Sequence, residues 1–183
     1  MFDAMKAAPI PDSMVPRVAL RWQWSRLPEL APEDLYAALA ARQQVFAVEQ
    51  ACAFQDADGY DFPAWHLLGW MTTDAAPSRA SPLATSLATS LVTYLRVLDP
   101  GSKYAEPSIG RVLTVPPWRR VGIGRVVMQE GIARCKAAWP GQPIRIAAQQ
   151  RLEAFYASLA FRAASPPYIE DGIPHVDMIL AGQ

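Results

Sequence analysis

The fold is decided by residues 109–125, which read IGRVLTVPPWRRVGIGR. The first part, Ile109 to Val115, is apolar and rich in β-branched residues, which predicts a buried strand. Two prolines end this strand, and a Gly-x-Gly pair then opens a segment with helical periodicity that extends to about Ala138. A glycine loop between a strand and a helix is suited to anions, because the first N–H groups of a helix lack partners and the helix dipole adds partial positive charge.

Three arginines surround this loop and add fixed positive charge. Guanidinium groups suit bidentate contact with phosphate, so we interpret the loop as the pyrophosphate site of a nucleotide-like ligand. A Walker loop would require a lysine after its second glycine, and a dinucleotide fingerprint would require a third glycine where Val127 stands, so the sequence disfavours both. An ordinary strand-to-helix turn remains the alternative. The three arginines are Arg119, Arg120 and Arg125.

The composition is that of an ordinary globular protein, since 51% of the 183 residues are hydrophobic and 19% are charged. This length is typical of one domain, and we expect residues 17–183 to form it after a loose leader at 1–16. The formal net charge is zero, so no global electrostatic field favours nucleic acid or an anionic membrane. We therefore expect neither as a partner.

Cysteine usage and the lack of targeting signals predict a cytoplasmic protein. Cys52 and Cys135 show no metal-ligand spacing and are too few for a disulfide scaffold, so we expect free thiols and no metal site. Residues 1–16 lack the charged start and apolar core of a signal peptide. No apolar run approaches the ~18 residues that a membrane span needs.

Hydrophobic periodicity predicts the element order β-α-β-β-β-α-β-α-β-β, which is an α/β fold with a mixed sheet and helices on its faces. Residues 74–90 are rich in Ala, Ser, Thr and Pro, and we expect this low-complexity stretch to be an inserted loop. The predicted strands are 17–27, 66–71, 91–98, 109–115, 144–148, 161–168 and 175–180, and the predicted helices begin near residues 32, 122 and 152.

Three polar side chains stand out from this pattern. Arg42 lies on or beside the apolar stripe of the first helix, where it would either reach the edge of the core or serve a site. Asp58 belongs to an aspartate-rich segment that predicts a self-capping turn rather than a calcium loop, because Tyr60 and Asp61 stand where an EF-hand needs a ligand and a glycine. His66 begins a strand and has a side chain that titrates near neutrality, but a structural role is the alternative.

The spacing Arg119-x-x-Gly122-x-Gly124, with the predicted element order, resembles the GNAT superfamily of N-acetyltransferases along residues 17–180. Further motifs resemble, in the same order, the ElaA-type branch of that superfamily. The turn between the fourth strand and Arg119 is one residue shorter than this branch predicts, and the 74–90 stretch is longer. The branch motifs are Arg42-x-x-Val45-Phe46-x-Val48-Glu49-Gln50, Phe54-Gln55-Asp56-x-Asp58, His66-x-Leu68-Gly69, Ile109-Gly110-Arg111-Val112, Ala148-Gln149, Phe155-Tyr156 and Glu170-Asp171-Gly172-Ile173-Pro174-His175.

The resemblance implies acetyl-CoA as co-substrate, with its pantetheine arm between the fourth and fifth strands. The arm would pair with the backbone of Leu113 and Val115 as an added strand does. The Val115 N–H would donate to the oxyanion of the reaction. The pyrophosphate would rest on the N–H groups of residues 120–125. The implied coenzyme-binding residues are Leu113, Thr114, Val115, Arg119, Arg120, Val121, Gly122, Ile123, Gly124 and Arg125.

The resemblance also implies groups for proton transfer. Tyr156 is the candidate general acid, because a phenol is protonated at neutral pH and can return a proton to a departing thiolate. A core tyrosine on an amphipathic helix face is the alternative. Glu49 is the favoured general base, acting through water, since burial at the end of an apolar helix could raise its pKa. Asp58, His66 and His175 are the other candidates.

The expected function is transfer of an acetyl group to a primary amine by direct attack in a ternary complex. A small-molecule or peptide amine is the expected acceptor, and six tryptophans with long apolar runs would permit a homodimer. A non-catalytic acyl-CoA-binding domain and a nucleotide-binding domain remain the alternatives, because fold does not prove function. Acceptor contacts are expected from Arg42, Asp58, His66, Glu170, Asp171 and His175.

Overall fold

The computed structural model describes residues 20–51, 53–72 and 89–182. The expected leader at 1–16 and residues 74–88 of the expected insert lie outside these ranges, so both stay predictions. The described helices are α1 (Pro32–Arg42), a π-helix (Gln43–Glu49), α2 (Ile123–Ala138) and α3 (Glu153–Ala157). The described strands are β1 (Arg21–Arg26), β2 (Trp65–Thr72), β3 (Thr89–Leu98), β4 (Ser108–Thr114), β5 (Ile144–Gln149), β6 (Arg162–Ala163), β7 (Tyr168–Glu170) and β8 (Ile173–Leu180).

The eight strands form one sheet in the order β1-β2-β3-β4-β5-β8-β6, and β7 also pairs with β8. Each pair is antiparallel except β4 and β5, which run parallel. Parallel neighbours need a crossover connection, and α2 supplies it. The predicted α/β class with a mixed sheet is therefore confirmed.

Hydrophobic side chains cover both faces of this sheet, because successive residues of a strand point to opposite sides. On one face, Leu67 and Leu95 pack in a core with side chains of α2 and α3. On the other face, Leu68 and Tyr94 pack with Ala38 of α1. Full burial of a large apolar side chain contributes roughly 1.5–3 kcal/mol, so these two layers hold the helices on the sheet. No helix in the described ranges is both long and apolar enough to cross a membrane.

The first helix begins at Pro32, near its predicted start, and the chain continues after Arg42 as a π-helix to Glu49, since no glycine or proline lies in this stretch to stop it. One element differs from the predicted ones. The strand predicted over 161–168 is divided into β6 and β7. Pro166 and Pro167 lie between them, and proline cannot donate to a strand ladder.

Gly69 provides a test of the packing within the sheet. A Cβ atom at this position would lie 2.5 Å from Thr93 Cγ2 and 2.7 Å from a ring carbon of Trp22. We expect Gly69→Ala to lower the free energy of unfolding by about 1–3 kcal/mol, because inserting an atom into a packed core forces neighbours to move. Urea unfolding would measure this change.

The matched control is Gly110→Ala, since no atom lies within 4 Å of the added Cβ there. This variant should keep its unfolding free energy within about 0.5 kcal/mol of the unsubstituted protein. Equal stability of Gly69→Ala and the unsubstituted chain would show that the packing around β2 is looser than described.

Candidate active site

A cleft opens where β4 and β5 part. The two strands pair at Ser108 and Arg145 and at no other described position. Beyond this pair, β4 carries a β-bulge in which Arg111 and Val112 together face Leu95 of β3, and Arg111 has a φ of 52°. A bulge bends its strand and increases the local twist. β4 therefore turns away from β5 and leaves a cavity of about 410 Å³.

Five parts of the chain contribute most of the lining of this cleft. β4 and β5 form its sides, α3 contributes Tyr156, and loop 54–60 and the turn between β7 and β8 form its mouth. Ligand sites in proteins commonly have volumes of roughly 300–1,000 Å³, so the cavity is large enough for a small substrate.

The backbone of β4 after the bulge corrects the expected coenzyme contacts. The N–H of Val115 donates to the carbonyl of Val92 at 3.0 Å, and the carbonyl of Leu113 accepts from Thr93 Oγ1 at 2.7 Å. Both groups face β3, so the prediction that the Val115 N–H binds the oxyanion is wrong. Successive residues of a strand direct their backbone groups to opposite edges, which places the N–H and carbonyl of Thr114 on the cleft side.

The glycine loop has the conformation that an anion site needs. Gly122 caps α2 with a φ of 88°, and α2 begins at Ile123, as predicted. Within the described chain, no backbone carbonyl accepts from the N–H groups of residues 120–122. The N–H groups of the first helical turn also lack partners inside the helix. The Arg125 N–H was expected to bind the pyrophosphate, but it donates to the Gly122 carbonyl at 3.0 Å. The open donors are therefore the N–H groups of residues 120–124.

Glu49 and Arg119 form an ion pair beside this loop. Arg119 donates from Nη2 to Glu49 Oε2 at 2.6 Å and from Nε to the Thr114 carbonyl at 2.8 Å. The next residue, Gln50, lines the cleft and accepts from Gln149 Nε2 at 2.9 Å. Glu49 itself does not line the cleft, so a base at this position could reach an acceptor only through water.

The other two loop arginines differ in whether their side chains have partners in the described chain. Arg125 donates to Ser158 Oγ at 2.7 Å, and its guanidinium lies 5.9 Å from the centroid of the Phe155 ring. Arg120 is exposed, with a φ of 64°, and its side chain contacts no hydrogen-bond or ion-pair partner in the chain that the structure describes. Arg120 is therefore the loop guanidinium available to a bound phosphate.

Tyr156 presents a hydroxyl group to the cleft. The residue is 7% exposed, and its ring packs edge-on against Phe155 and Phe161. Burial raises the pKa of Tyr156 to about 12. The hydroxyl has no hydrogen-bond partner among the described residues, although the side chain lines the cleft. The hydroxyl is therefore accessible from the cleft, where water or a ligand can complete its hydrogen bonding.

Three arginines and three aspartates form a charge-balanced network beneath the mouth of the cleft. Arg42 is 1% exposed and donates from Nη1 to Asp61 and from Nε to Asp56, both at 2.7 Å. Arg96 of β3 donates from Nη1 to Asp58 at 2.7 Å and to Asp61 at 2.8 Å. Buried charges need such partners, because an unpaired charge in the interior is very costly. The members are Arg42, Arg96, Arg111, Asp56, Asp58 and Asp61.

His66 lies behind this network rather than in the cleft. Its Nε2 donates to the Asp61 carbonyl at 2.9 Å and its Nδ1 accepts from the Tyr94 hydroxyl at 2.7 Å, because a carbonyl can only accept. Burial lowers the pKa of His66 below its ordinary value of 6.5 and outweighs the opposing hydrogen bond to Asp61. Arg42 and His66 were expected to contact the acceptor, but both side chains are buried and occupied, so the structure offers no such contact.

Asp58 lies on the cleft side of the network. Burial acts to raise the pKa of Asp58, but the hydrogen bond and charge of Arg96, followed by the charge of Arg111, outweigh burial and lower it to about 2. The carboxylate also accepts from the Tyr60 N–H at 3.1 Å, which is the predicted self-capped turn. A carboxylate with so low a pKa is a weak proton acceptor at neutral pH, which disfavours Asp58 as a general base.

The remaining predicted acceptor residues meet at the mouth of the cleft. Glu170 accepts from Lys103 Nζ at 3.5 Å, and His175 Nδ1 donates to the Ile173 carbonyl at 2.8 Å. Asp171 is exposed, with a φ of 51°. All of these residues line the cleft, so the structure brings the β7–β8 turn together with the end of β5.

Sequence reasoning missed Asp61, Arg96 and Arg111 as members of the site. A signal was present, since Arg96 and Arg111 are the only charged residues in the predicted strands 91–98 and 109–115. Arginine is almost never fully buried without a partner, so a charged residue in such a strand predicts an ion pair or a site.

In the described ranges, no group of three or more His, Cys, Asp or Glu side chains is arranged to hold a metal ion.

Comparison with known proteins identifies relatives of the whole described chain. Residues 82–181 match the family model described as an acetyltransferase (GNAT) domain. A UPF0039 protein of Synechocystis is 38% identical over 160 residues, which cover 87% of this chain and 94% of the relative. ElaA of Escherichia coli is 34% identical over 161 residues, which cover 87% of this chain and 95% of ElaA.

Solved structures agree with these relatives. The crystal structure of Escherichia coli ElaA superposes with a TM-score of 0.73 and 33% identity, covering 88% of this chain and 99% of ElaA. An acyl-CoA N-acyltransferase from Pseudomonas aeruginosa gives a TM-score of 0.76 and 32% identity, covering 89% of this chain and all of that chain (100%). The resemblance drawn from the motifs, including its ElaA-type branch, is confirmed.

The buried environment of His66 predicts a dependence of stability on pH. The pKa of His66 is lower in the folded than in the unfolded chain, so the unfolded chain binds the proton first as pH falls below 6.5. Stability should therefore decrease between about pH 7 and pH 5, by at most about 1.4 kcal/mol per pH unit for one proton. Urea unfolding at both pH values measures this slope.

His66→Gln should remove much of the slope, whatever it does to the absolute stability. His175→Gln serves as the matched control, because His175 lies at the half-buried cleft mouth and bonds the Ile173 carbonyl. An unchanged slope in the His66 variant would contradict the burial of a neutral imidazole at this position.

Proposed function

Because the chain belongs to the GNAT acetyltransferase family, we propose that it transfers the acetyl group of acetyl-CoA to a primary amine by direct attack within a ternary complex. One observation carries this proposal: β4, which parts from β5 after Ser108, leads directly into the glycine loop, whose N–H groups are open. A parted strand edge can bind an extended chain, and a helix N-terminus can bind a diphosphate. Acetyl-CoA contains both parts.

The residues of the loop fit the diphosphate of the coenzyme. The N–H groups of residues 120–124 supply donors, and Arg120 supplies an unpaired positive charge. Gly124 keeps the approach open, since the nearest atom to an added Cβ would be Thr114 Oγ1 at 3.9 Å. The pantetheine amides would pair with β4 at Thr114, one residue away from the register first expected, where the carbonyl already accepts from Arg119 Nε.

Thr114 also becomes the proposed oxyanion donor. When the amine attacks the thioester carbonyl, negative charge develops on the carbonyl oxygen. The Thr114 N–H lies on the cleft edge of β4, whereas the Val115 N–H is occupied by Val92. One backbone donor placed at such an oxygen typically lowers the barrier by about 3–4 kcal/mol.

Tyr156 is the proposed general acid. With its pKa raised to about 12, the phenol is protonated at neutral pH. As the carbon–sulfur bond breaks, the hydroxyl would give its proton to the departing thiolate and regain one from solvent. The attacking amine loses one proton to the base, so the products are an acetylated amine and the free thiol of coenzyme A. The missing partner of the Tyr156 hydroxyl supports this assignment.

Glu49 remains the proposed general base, acting through a water molecule. Its carboxylate is tied to Arg119, which belongs to the diphosphate loop, so the base would lie next to the coenzyme. The alternatives are weaker, because His66 is buried behind Tyr94, and because Arg96 and Arg111 outweigh burial and lower the pKa of Asp58 to about 2. His175 lies at the cleft mouth and is the second choice.

Gly124→Val tests the coenzyme site. The added side chain should enter the open space above the loop and weaken acetyl-CoA binding by about tenfold or more, which corresponds to about 1.4 kcal/mol. Isothermal titration calorimetry with acetyl-CoA measures the affinity. Ala133→Val places the same side chain on the exposed part of α2 and should bind acetyl-CoA normally. If the folded, unsubstituted protein shows no binding at about millimolar acetyl-CoA, the proposed function is wrong.

Tyr156→Phe tests the general acid. The ring contacts with Phe155 and Phe161 are retained, so the fold and the affinity for acetyl-CoA should be unchanged. Loss of a positioned acid should reduce turnover by about 100-fold or more, measured as thiol release with an amine acceptor. Tyr36→Phe, at a residue that is 62% exposed, is the matched control. Full activity of Tyr156→Phe would remove the residue from this role.

A further inference from the structure

We propose that the free edge of the Arg111 guanidinium binds a carboxylate of the acceptor, which makes small amino carboxylates the acceptor class. This inference rests on the proposed acetyl transfer and names the substrate of the same cleft. Arg111 belongs to β4, lines the cleft, and was not among the residues expected to bind the acceptor.

The backbone at Arg111 is the first observation. Its φ of 52° is in the left-handed region, which a residue with a Cβ adopts at a cost and glycine adopts freely. The neighbouring Gly110 does not have a positive φ, so the strained position of the bulge holds the arginine rather than the glycine. Strained residues cluster at binding and catalytic sites, where the side chain has to lie in one place. This arginine lines the cleft, and its guanidinium lies against Asp56 and Asp58 of loop 54–60.

The contacts of the guanidinium are the second observation. Nε lies 2.6 Å from Asp56 Oδ1, and Nη2 donates to Asp58 Oδ2 at 3.1 Å and to the Asp56 carbonyl at 3.2 Å. Nη1 has no partner within the chain that the structure describes, and the side chain is 30% exposed. Two aspartates therefore orient the group, and one edge with its donors remains open to the cleft.

Charge balance is the third observation. The network under the cleft contains three arginines and three aspartates, so an incoming carboxylate meets no excess of negative charge. A second guanidinium, that of Arg151, also lines the cleft and uses Nε to bond Gln149 Oε1 at 2.9 Å. Its two Nη groups have no partner among the described residues. Carboxylates suit the fork of arginine, and an acceptor amine would find Glu170 and Asp171 at the same mouth.

A purely structural role for Arg111 makes different predictions. If the residue only pins loop 54–60 to β4, its loss would lower stability and affect all acceptors alike. If it binds the acceptor carboxylate, its loss would remove the preference for acceptors that carry one. Acetyl-CoA also has anionic groups, but the diphosphate loop would hold them, so the affinity for acetyl-CoA separates the two sources of negative charge.

The experiment compares free amino acids with their C-terminal amides as acceptors, following thiol release at saturating acetyl-CoA. We expect the unsubstituted protein to prefer the amino acid by about tenfold or more in kcat/KM, a typical value for a charge-assisted hydrogen bond. The preference should appear mainly in the KM for the acceptor. Arg111→Gln should acetylate the acid and the amide alike, with an unchanged Kd for acetyl-CoA. Arg134→Gln, in a half-buried i,i+4 pair on α2 that does not line the cleft, should keep the preference.

Arg111→Lys covers the case in which the glutamine variant does not fold. It keeps the charge that faces the aspartates but loses the planar fork, so the preference for the carboxylate should fall without being abolished. The inference is overturned if the unsubstituted protein acetylates amides or simple amines as well as amino acids, if either folded Arg111 variant keeps the full preference, or if a protein that binds acetyl-CoA acetylates no amino acid. Failure to bind acetyl-CoA would instead refute the proposed function.

Discussion

β4 and β5 run parallel and pair at Ser108 and Arg145, but a bulge at Arg111 turns β4 away before a second described pair forms. The same chain segment then passes through the glycine loop and begins α2, the crossover that parallel neighbours require. One local insertion in the ladder therefore creates both the gap in the sheet and the path to the helix N-terminus. Without the bulge, continued pairing of β4 with β5 would close the edge that the coenzyme is proposed to use.

Where two strands of a sheet part, polar groups near the gap need partners other than a neighbouring strand. On the proposed acceptor side of the cleft, ion pairs provide these partners. Loop 54–60 is tied to β3 and β4 by arginine–aspartate pairs rather than by apolar packing. Such pairs contribute little net stability when complete, but removing one buried partner costs about 3–5 kcal/mol, because the other charge is left unpaired. The network therefore acts chiefly on geometry, fixing the loop and directing Arg111.

The sequence predicted the parts of this structure that depend on local pattern. Apolar runs identified β4, and the Gly-x-Gly pair located the start of α2, because strand periodicity and helix termini are properties of neighbouring residues. The predicted register of β4 was wrong by one residue, because Thr114 rather than Val115 directs its backbone N–H toward the cleft. A bulge moves the backbone groups of every later residue to the opposite edge of the strand. Nothing in the sequence around Arg111 predicts where the extra residue is inserted.

The ion-pair network escaped prediction for a different reason. Asp61 binds Arg42 and Arg96, which are 19 and 35 residues away in the chain, so the pairing is decided by how β2 and β3 come together. A charged residue inside a largely apolar strand predicts that an oppositely charged partner exists, but it does not predict which residue that partner is. His66 shows the same limit, since a histidine at a strand start gave no sign that Tyr94 and the Asp61 carbonyl would enclose it.

The polar groups at the two ends of the cleft are of different kinds, backbone at one end and side chain at the other. This difference affects how one fold can accept several acceptors. At the coenzyme end the donors are backbone N–H groups of residues 120–124, which persist whatever side chains surround them. At the acceptor end the polar groups are side chains of β4, β5 and the β7–β8 turn. A substitution there changes which amine fits while leaving the diphosphate cradle intact. Under the proposed function, acceptor choice would thus depend on a few side chains, whereas coenzyme choice would depend on the backbone.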